Sequence, residues 1–359
     1  MAKSLKLYFM NDKIFKILET AIHAPSGDNS QPWEFDVSDS VLKVYNVIGK
    51  DNKIFNYKER GSLFAHGALI ENINILATQQ SLSADIVLLP DPNEPSLIAK
   101  ISFTNDLTVE FDPLAYYIEK RHTNRKAFND TKLTETQKEI FLKFCLDRGV
   151  KVGFIEDPKN KEIIAKAASN TERIMLQHKP LHDLFFSFIR WTREEELQNP
   201  GLFLKTMELA PPKQIVFKLY RNWKLAILFN FLGLPNVISS ENALVYQKCA
   251  AFGLLSSSNS NPESFIKAGR AFQRIWLQAT TYNLSIQPVS AILYLDARIK
   301  EEGRGDFSEK FSEDISKASL EITQSFHITN ETPIMLFRIG FSSEPTAVSS
   351  HVKPRLKLK

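Results

Sequence analysis

The feature that most constrains this chain is an internal repeat. The segment Gly67-Ala-Leu-Ile-Glu-Asn-Ile-Asn-Ile-Leu-Ala-Thr-Gln-Gln-Ser-Leu-Ser83 aligns without gaps to Gly269-Arg-Ala-Phe-Gln-Arg-Ile-Trp-Leu-Gln-Ala-Thr-Thr-Tyr-Asn-Leu-Ser285, at an offset of 202 residues (269 less 67). Gly67/Gly269, Ile73/Ile275, Ala77/Ala279, Thr78/Thr280, Leu82/Leu284, Ser83/Ser285 and, just beyond, Val87/Val289 are identical. Apolar residues recur at helical spacing in both copies and then pass into an extended run. A match that continues from helix through turn into strand marks a duplicated supersecondary unit rather than two amphipathic helices alike by chance. The alanine pair is expected to mark the place where another helix approaches closely.

Each copy sits in an α+β setting. A helix over Lys13 to Ile22 precedes a strand over Glu34 to Val37, and Asp85–Leu89 and Ala99–Phe103 read as strands around a Pro/Asp/Asn loop. The second copy runs into Ser290–Leu295, a charged loop, a helix over Glu309 to Ile322 and a strand over Ile334 to Ile339. The boundary falls between Thr104 and Pro113. The reading is two modules, 1–110 and 111–359, each with a small mixed sheet flanked by helices. An aromatic-rich helical insertion at about 168–260 has no counterpart in the first module. It reads either as an ordinary helical subdomain or as a lid over a ligand pocket.

A chain of 359 residues suits two such modules. Forty-five basic against 41 acidic residues leave a net charge of +4, too weak a surplus to point to nucleic acid. The two cysteines, Cys145 and Cys249, lie in apolar stretches and read as core residues, with a reducing cytoplasmic compartment as the default. Met1 to Met10 lacks the pattern of a signal peptide. The most lipid-like stretch, Ile215 to Leu234, is interrupted by Lys218, Arg221 and Lys224, so no membrane span is expected. No dinucleotide, Walker or hydrolase glycine motif is present. Pro180 between His178 and His182 argues against a metal site on one helix face.

Three segments carry chemistry. The loop Ala24-Pro-Ser-Gly-Asp-Asn-Ser-Gln-Pro-Trp33 offers backbone N–H groups and small polar side chains, with Gly27 allowing close approach. Arg121-His-Thr-Asn-Arg-Lys-Ala-Phe128 puts Arg121, Thr123 and Arg125 at alternate positions, so an extended chain points them one way. Guanidinium forks and a hydroxyl suit a phosphate, although a charged surface loop has the same spacing. It precedes a helix whose cap reads Thr134-Glu-Thr-Gln137. Third, Phe337-Arg-Ile-Gly340 is followed by Lys353-Pro-Arg355, which reads as a second cationic contact or as a frayed tail.

Together these segments resemble the nitroreductase family of FMN proteins. Pro25-Ser-Gly-Asp-Asn-Ser-Gln-Pro-Trp33 is similar to the family's Pro-Ser-x-x-Asn-x-Gln-Pro-Trp motif, and Arg121-His-Thr-Asn-Arg125 to its Arg-x-Ser/Thr-x-Lys/Arg run. Asn283-Leu-Ser-Ile-Gln-Pro288 is similar to its Gly-Leu-x-x-x-Pro turn, and the closing strand and Lys-x-Arg tail complete the set. The order departs from the family, where the arginine run comes first within one subunit of a homodimer. Here each half retains the motif that the other lacks, as in the two-copy Acg-like subgroup.

The resemblance implies a fused, nitroreductase-like pseudo-dimer with one composite FMN site and a second site that has decayed. Arg121, Thr123, Arg125, Lys353 and Arg355 would hold the phosphate and the polar edge of the ring. Pro25, Ser26, Gly27 and Asn29 would line the flavin from the other half. The turn Pro288, Val289, Ser290 and Ala291 would place backbone N–H groups, those after the proline, near it. The implied activity is reduction of a small organic acceptor with electrons from NAD(P)H, the chemistry resting on the flavin rather than on a side chain. The alternative is an FMN-binding or storage protein closed off by its lid. One FMN per chain is expected, in a monomeric pseudo-dimer or weak oligomer.

Overall fold

A computed structural model describes residues 2–357, with side chains from Met10 onward. The first module runs α1 (Ala2–Ala21), β1 (Trp33–Ser38), β2 (Val41–Asn46), α2 (Arg60–Gln79), β3 (Leu82–Leu88) and β4 (Leu97–Asn105). Its strands form one antiparallel sheet in the order β1-β2-β4-β3. The second module opens with α3 (Glu135–Leu146) and β5 (Lys151–Ile155). A long insertion follows: α4 (Pro158–Gln177), α5 (Lys179–Phe188), β6 (Ile189–Arg190), α6 (Arg193–Gln198), β7 (Leu202–Phe203), α7 (Pro211–Tyr220), α8 (Trp223–Phe231) and α9 (Leu234–Tyr246). The module then resumes with β8 (Ala251–Ser257), α10 (Pro262–Thr281), β9 (Leu284–Pro288), α11 (Ala291–Glu302), α12 (Glu309–Ser325) and β10 (Thr332–Phe341). Its sheet, β5-β8-β10-β9, has the strand order of the first once each module is numbered by itself.

The repeat therefore extends to topology. It also extends to backbone detail: Ser81 and Asn283, 202 residues apart, both take the left-handed conformation (φ 53° and 58°) between helix and strand. The helix ends alike in both places, with Gln80 N–H donating to Ala77 and Tyr282 N–H to Ala279.

The two copies meet at their glycines. A methyl on Gly67 would lie 2.1 Å from the Ile266 carbonyl oxygen, and one on Gly269 would lie 2.0 Å from that of Phe64. The backbones of α2 and α10 thus cross in direct contact, and the small residues that permit it are Gly67 and Gly269 rather than the alanine pair. Around this crossing Ile73, Ile75, Phe272 and Ile275 are fully buried in a core shared by both modules. Phe64 and Phe272, one from each helix, stack at 5.5 Å.

Two sequence expectations need correction. Ala251–Ser257 lies inside the range assigned to the insertion, yet it is β8, a central strand of the second sheet. Every residue in it is buried, and a strand buried on both faces loses the alternation that identifies strands in sequence. The insertion proper starts at Pro158 and ends before β8. Ser290–Leu295, grouped with the extended run, is instead the start of α11; the strand is Leu284–Pro288. The insertion has a core of its own, in which Leu176, Phe186, Leu202 and Tyr220 are buried and Phe185, Phe186, Trp191 and Phe217 stack. Both cysteines are buried.

Gly67→Ala or Gly269→Ala should destabilise the protein by about 1–3 kcal/mol or more, because the obstructing atom is backbone and cannot rotate away. Thermal melts of the single variants test this; an unchanged midpoint would contradict the crossing.

Candidate functional site

The loop after α1 holds a strained conformation. Asp28, Asn29 and Gln31 all have positive φ (46°, 57° and 48°), which non-glycine residues adopt only when surroundings enforce it. The enforcing contacts come from the far end of the chain. Asn29 Nδ2 donates to the Ser350 carbonyl (2.9 Å), and Val352 N–H donates to Gln31 Oε1 (3.0 Å). Arg355 Nη2 donates to the Gln31 carbonyl (2.7 Å), while its own carbonyl accepts from Phe35 N–H, so the tail runs alongside β1. Within the loop, Gln31 N–H donates to Ser26 Oγ (3.0 Å). Gly27 lies against a carboxylate: a methyl there would stand 3.1 Å from Asp51 Oδ1.

Facing this loop is the segment from Arg121 to Arg125. Thr123 bridges to Ile286 on β9, and Asn124 N–H donates to the Ile286 carbonyl, so the segment is extended along the sheet edge. That geometry turns Arg121, Thr123 and Arg125 toward one cavity of about 350 Å³. Pro25, Ser26, Asp28 and Asn29 line the same cavity from the first module. The loop and the arginine run, from opposite halves of the sequence, thus share one space.

The electrostatics of this space are unusual. Arg121 is 7% exposed and has no acidic salt-bridge partner among the described residues. Its Nη2 donates to the His23 carbonyl (2.8 Å), its guanidinium lies 4.5 Å over the Trp276 ring, and its Nε has no partner. Burial lowers its pKa to about 10. Arg125 donates to the Thr206 carbonyl (3.2 Å) and is likewise without a salt bridge. A buried and a half-buried guanidinium, neither in a salt bridge among the described residues, form an under-compensated cationic surface, although Asp28 and Glu119 also line the cavity; such a surface is costly unless an anion completes it. Burial raises the Asp28 carboxyl above its usual range, so that acid is a poor counter-ion. The His351 ring lies 4.4 Å from that of His23, and burial lowers its pKa to about 3, keeping it uncharged.

The roof is supplied by the insertion and the tail. Leu202, Arg193 and Thr206 line the cavity, as do residues 347–351. Glu208 accepts from Thr346 N–H (2.6 Å) and Glu196 from Ser350 N–H (2.6 Å), tying roof to tail. The insertion is thus both a helical subdomain and a cover.

Not every expected residue reaches the cavity. Lys353 is exposed outside it, and Arg355 is committed to the carbonyls of Gln31 and Trp33, so Arg355 fastens the loop instead of facing the space. Val289 N–H is taken by the Leu336 carbonyl (2.8 Å), and the Ser290 hydroxyl is held by Leu336 (2.7 Å to its N–H), which leaves neither free to donate into it. Pro288 ends β9 paired with Phe337, Ala291 starts α11, and neither lines the cavity. Conversely, Arg193, Thr206, His23 and His351 were not anticipated. Only the position of His351 beside the Lys-x-Arg tail hinted at one of them.

The equivalent place in the second module is built differently. Eleven residues (22–32) join α1 to β1, but only four (147–150) join α3 to β5. Arg148 from that turn pairs with Glu71 (2.6 Å), a buried carboxylate also held by Arg270 (2.8 Å) and Arg274 (2.5 Å). Burial alone would raise the Glu71 pKa, but the three guanidiniums outweigh it and the pKa falls. The repeat partner of Glu71 is Gln273, so the cluster exists on one side only.

Among curated proteins, one from Mycobacterium tuberculosis described as "Putative NAD(P)H nitroreductase acg" is 29% identical over 189 residues, 50% of this chain and 54% of that protein. Over that half the chain is similar to this relative. An uncharacterized protein of the same organism is 21% identical over 343 residues, 94% of this chain and 47% of the relative. The chain spans about half the length of the curated relatives it matches. No family model matches. Nitroreductase-like solved structures overlap loosely: an FMN-bound nitroreductase from Bacteroides fragilis at TM-score 0.36 and 8% identity, covering 67% of this chain and 94% of that one. The NADPH:FMN oxidoreductase from Vibrio harveyi complexed with NAD+ gives TM-score 0.34 and 11% identity, over 68% and 74%. Overlaps that loose place no residue.

Asp51, behind Gly27, offers a pH test. Burial raises its pKa from 3.8 to about 7. A raised carboxyl binds its proton more tightly in the folded state, so its contribution to stability is present at low pH and lost as pH rises from about 4 to about 7. Asp51→Asn, permanently neutral, should lose less stability than the parent between those limits in urea melts. Identical pH profiles would show that Asp51 titrates normally.

Proposed function

We propose that this chain is an FMN-dependent NAD(P)H oxidoreductase of nitroreductase type, with one FMN held in the cavity between residues 24–31 and 121–125. The observation that carries the reading is a pair of guanidiniums, the buried Arg121 and the half-buried Arg125, which face one cavity and form no salt bridge among the described residues. The volume, about 350 Å³, falls in the range of small-molecule and cofactor pockets, roughly 300–1,000 Å³. The donor set suits a phosphorylated ring: Arg121 Nε lacks a partner, and Thr123 adds a hydroxyl. The similarity to the acg nitroreductase supports the same class.

In this reading Arg121, Thr123 and Arg125 bind the phosphate and the anionic edge of the ring. Pro25, Ser26, Gly27 and Asn29 hold the other side through a loop already fixed by the tail. Leu202 and Val348 limit water at the roof. When bound, FMN supplies the hydride and electron transfer; the chain supplies position and field. The acceptor is a small organic molecule. Arg355 acts on the loop, Lys353 stays at the surface, and residues 288–291 act on the sheet.

Anaerobic rapid mixing of flavin-loaded protein with NADH and with NADPH tests the reading: one donor should bleach the flavin absorbance. Arg121→Ala/Arg125→Ala should purify flavin-poor, since each charged contact is worth about 1.5–3 kcal/mol. Flavin blind to both donors would contradict reductase activity and favour binding without turnover, which the roof by itself would also suit. Full occupancy in the double variant would contradict the site.

A further inference from the structure

The α7–α8 hairpin of the insertion lines no part of the cavity, and only one side of it, with Tyr220 and Ala226, enters the insertion's core. It has the wrong surface for an element that faces only water. Nine of the twenty exposed large apolar side chains among the described residues fall between 215 and 244. Phe231 is 88% exposed, Leu232 67% and Ile215 63%. The sequence of α8, Trp-Lys-Leu-Ala-Ile-Leu-Phe-Asn-Phe, is apolar at seven of its nine positions, spread over most of its circumference. Helices of that kind are normally buried, yet here only Ala226 is.

The charges in the hairpin are of one sign. From 209 to 240 there is no acidic residue, while Lys213, Lys218, Arg221 and Lys224 are all basic. Lys213 pairs with Glu241, and Arg221 lies over the Trp191 ring. Lys218 and Lys224 are exposed and have no acidic partner among the described residues. No helix there is long and apolar enough to cross a membrane, and α8 has nine residues.

Short apolar helices edged with unpaired lysines and led by Trp, Phe and Leu match the physics of an interfacial contact. The apolar side chains enter the boundary of the acyl region, and the ammonium groups reach anionic headgroups. A second copy of the chain fits less well. A twofold interface would set the Lys218/Lys224 patch against itself with no acid to compensate. We infer that the α7–α8 hairpin docks the protein on the surface of an anionic lipid bilayer. The hairpin begins five residues after Thr206, which lines the cavity, so docking would hold the cavity roof close to the membrane.

Co-sedimentation of the full chain with vesicles tests this. Vesicles of phosphatidylcholine containing roughly a third phosphatidylserine should bind the protein at least about tenfold more strongly than phosphatidylcholine alone, and high salt should reverse the binding. Lys218→Glu/Lys224→Glu should lose the preference for anionic lipid. Phe231→Asp/Leu232→Asp should lower binding to both vesicle types. All four positions are exposed, so circular dichroism should report an unchanged fold. No binding to anionic vesicles, equal binding to both, or binding that neither variant alters would overturn the inference. A concentration-dependent dimer dispersed by Phe231→Asp/Leu232→Asp, without vesicle binding, would assign the surface to self-association instead.

Discussion

The structure depends on two backbones touching. At Gly67 and Gly269, α2 and α10 approach until a carbonyl of one occupies the space a methyl of the other would need. Everything that distinguishes the molecule follows from that contact. It fuses two modules of the same strand order around one core, and it fixes how far apart their loops stand. Trp276, two turns along α10 from the crossing, becomes the platform under Arg121, while the loop after α1 closes the opposite side. The cavity belongs to neither module alone. It is a consequence of packing, and its contents are set by what each half places at its edge.

Duplication is followed by divergence, and the two sides show opposite solutions to burying charge. On one side Arg121 and Arg125 border an open space and form no salt bridge among the described residues. On the other, Glu71 satisfies Arg148, Arg270 and Arg274, and Arg274 also reaches Asp112 (2.6 Å). Removing one partner from a buried ionic cluster is strongly destabilising, so the second arrangement is locked. Glu71 facing Gln273 in the repeat, and an eleven-residue loop facing a four-residue turn, are the sequence traces of this asymmetry.

What was legible in the sequence was local. The repeat could be read because helix period and turn chemistry are written within a few residues, down to the left-handed Ser81 and Asn283. The Thr134–Gln137 capping box forms as its spacing implied. Alternation at 121, 123 and 125 foretold a shared direction because an extended strand has no other option. What was not legible depended on distant partners. Nothing in Lys353-Pro-Arg355 says that the arginine will meet the carbonyls of Gln31 and Trp33, or that Val289 N–H will be spent on Leu336. Nor does Thr206 carry any local sign that it will meet Arg125. Strand β8 and the start of α11 were misassigned because short apolar runs carry no period that separates strand from helix.

The account stands or falls on how many flavins the chain holds. Titration of flavin-free protein with FMN, read by fluorescence quenching, measures this directly. One composite site opposite one cluster of side-chain ion pairs predicts saturation at one FMN per chain. Two equivalents, or no saturable binding, would contradict it.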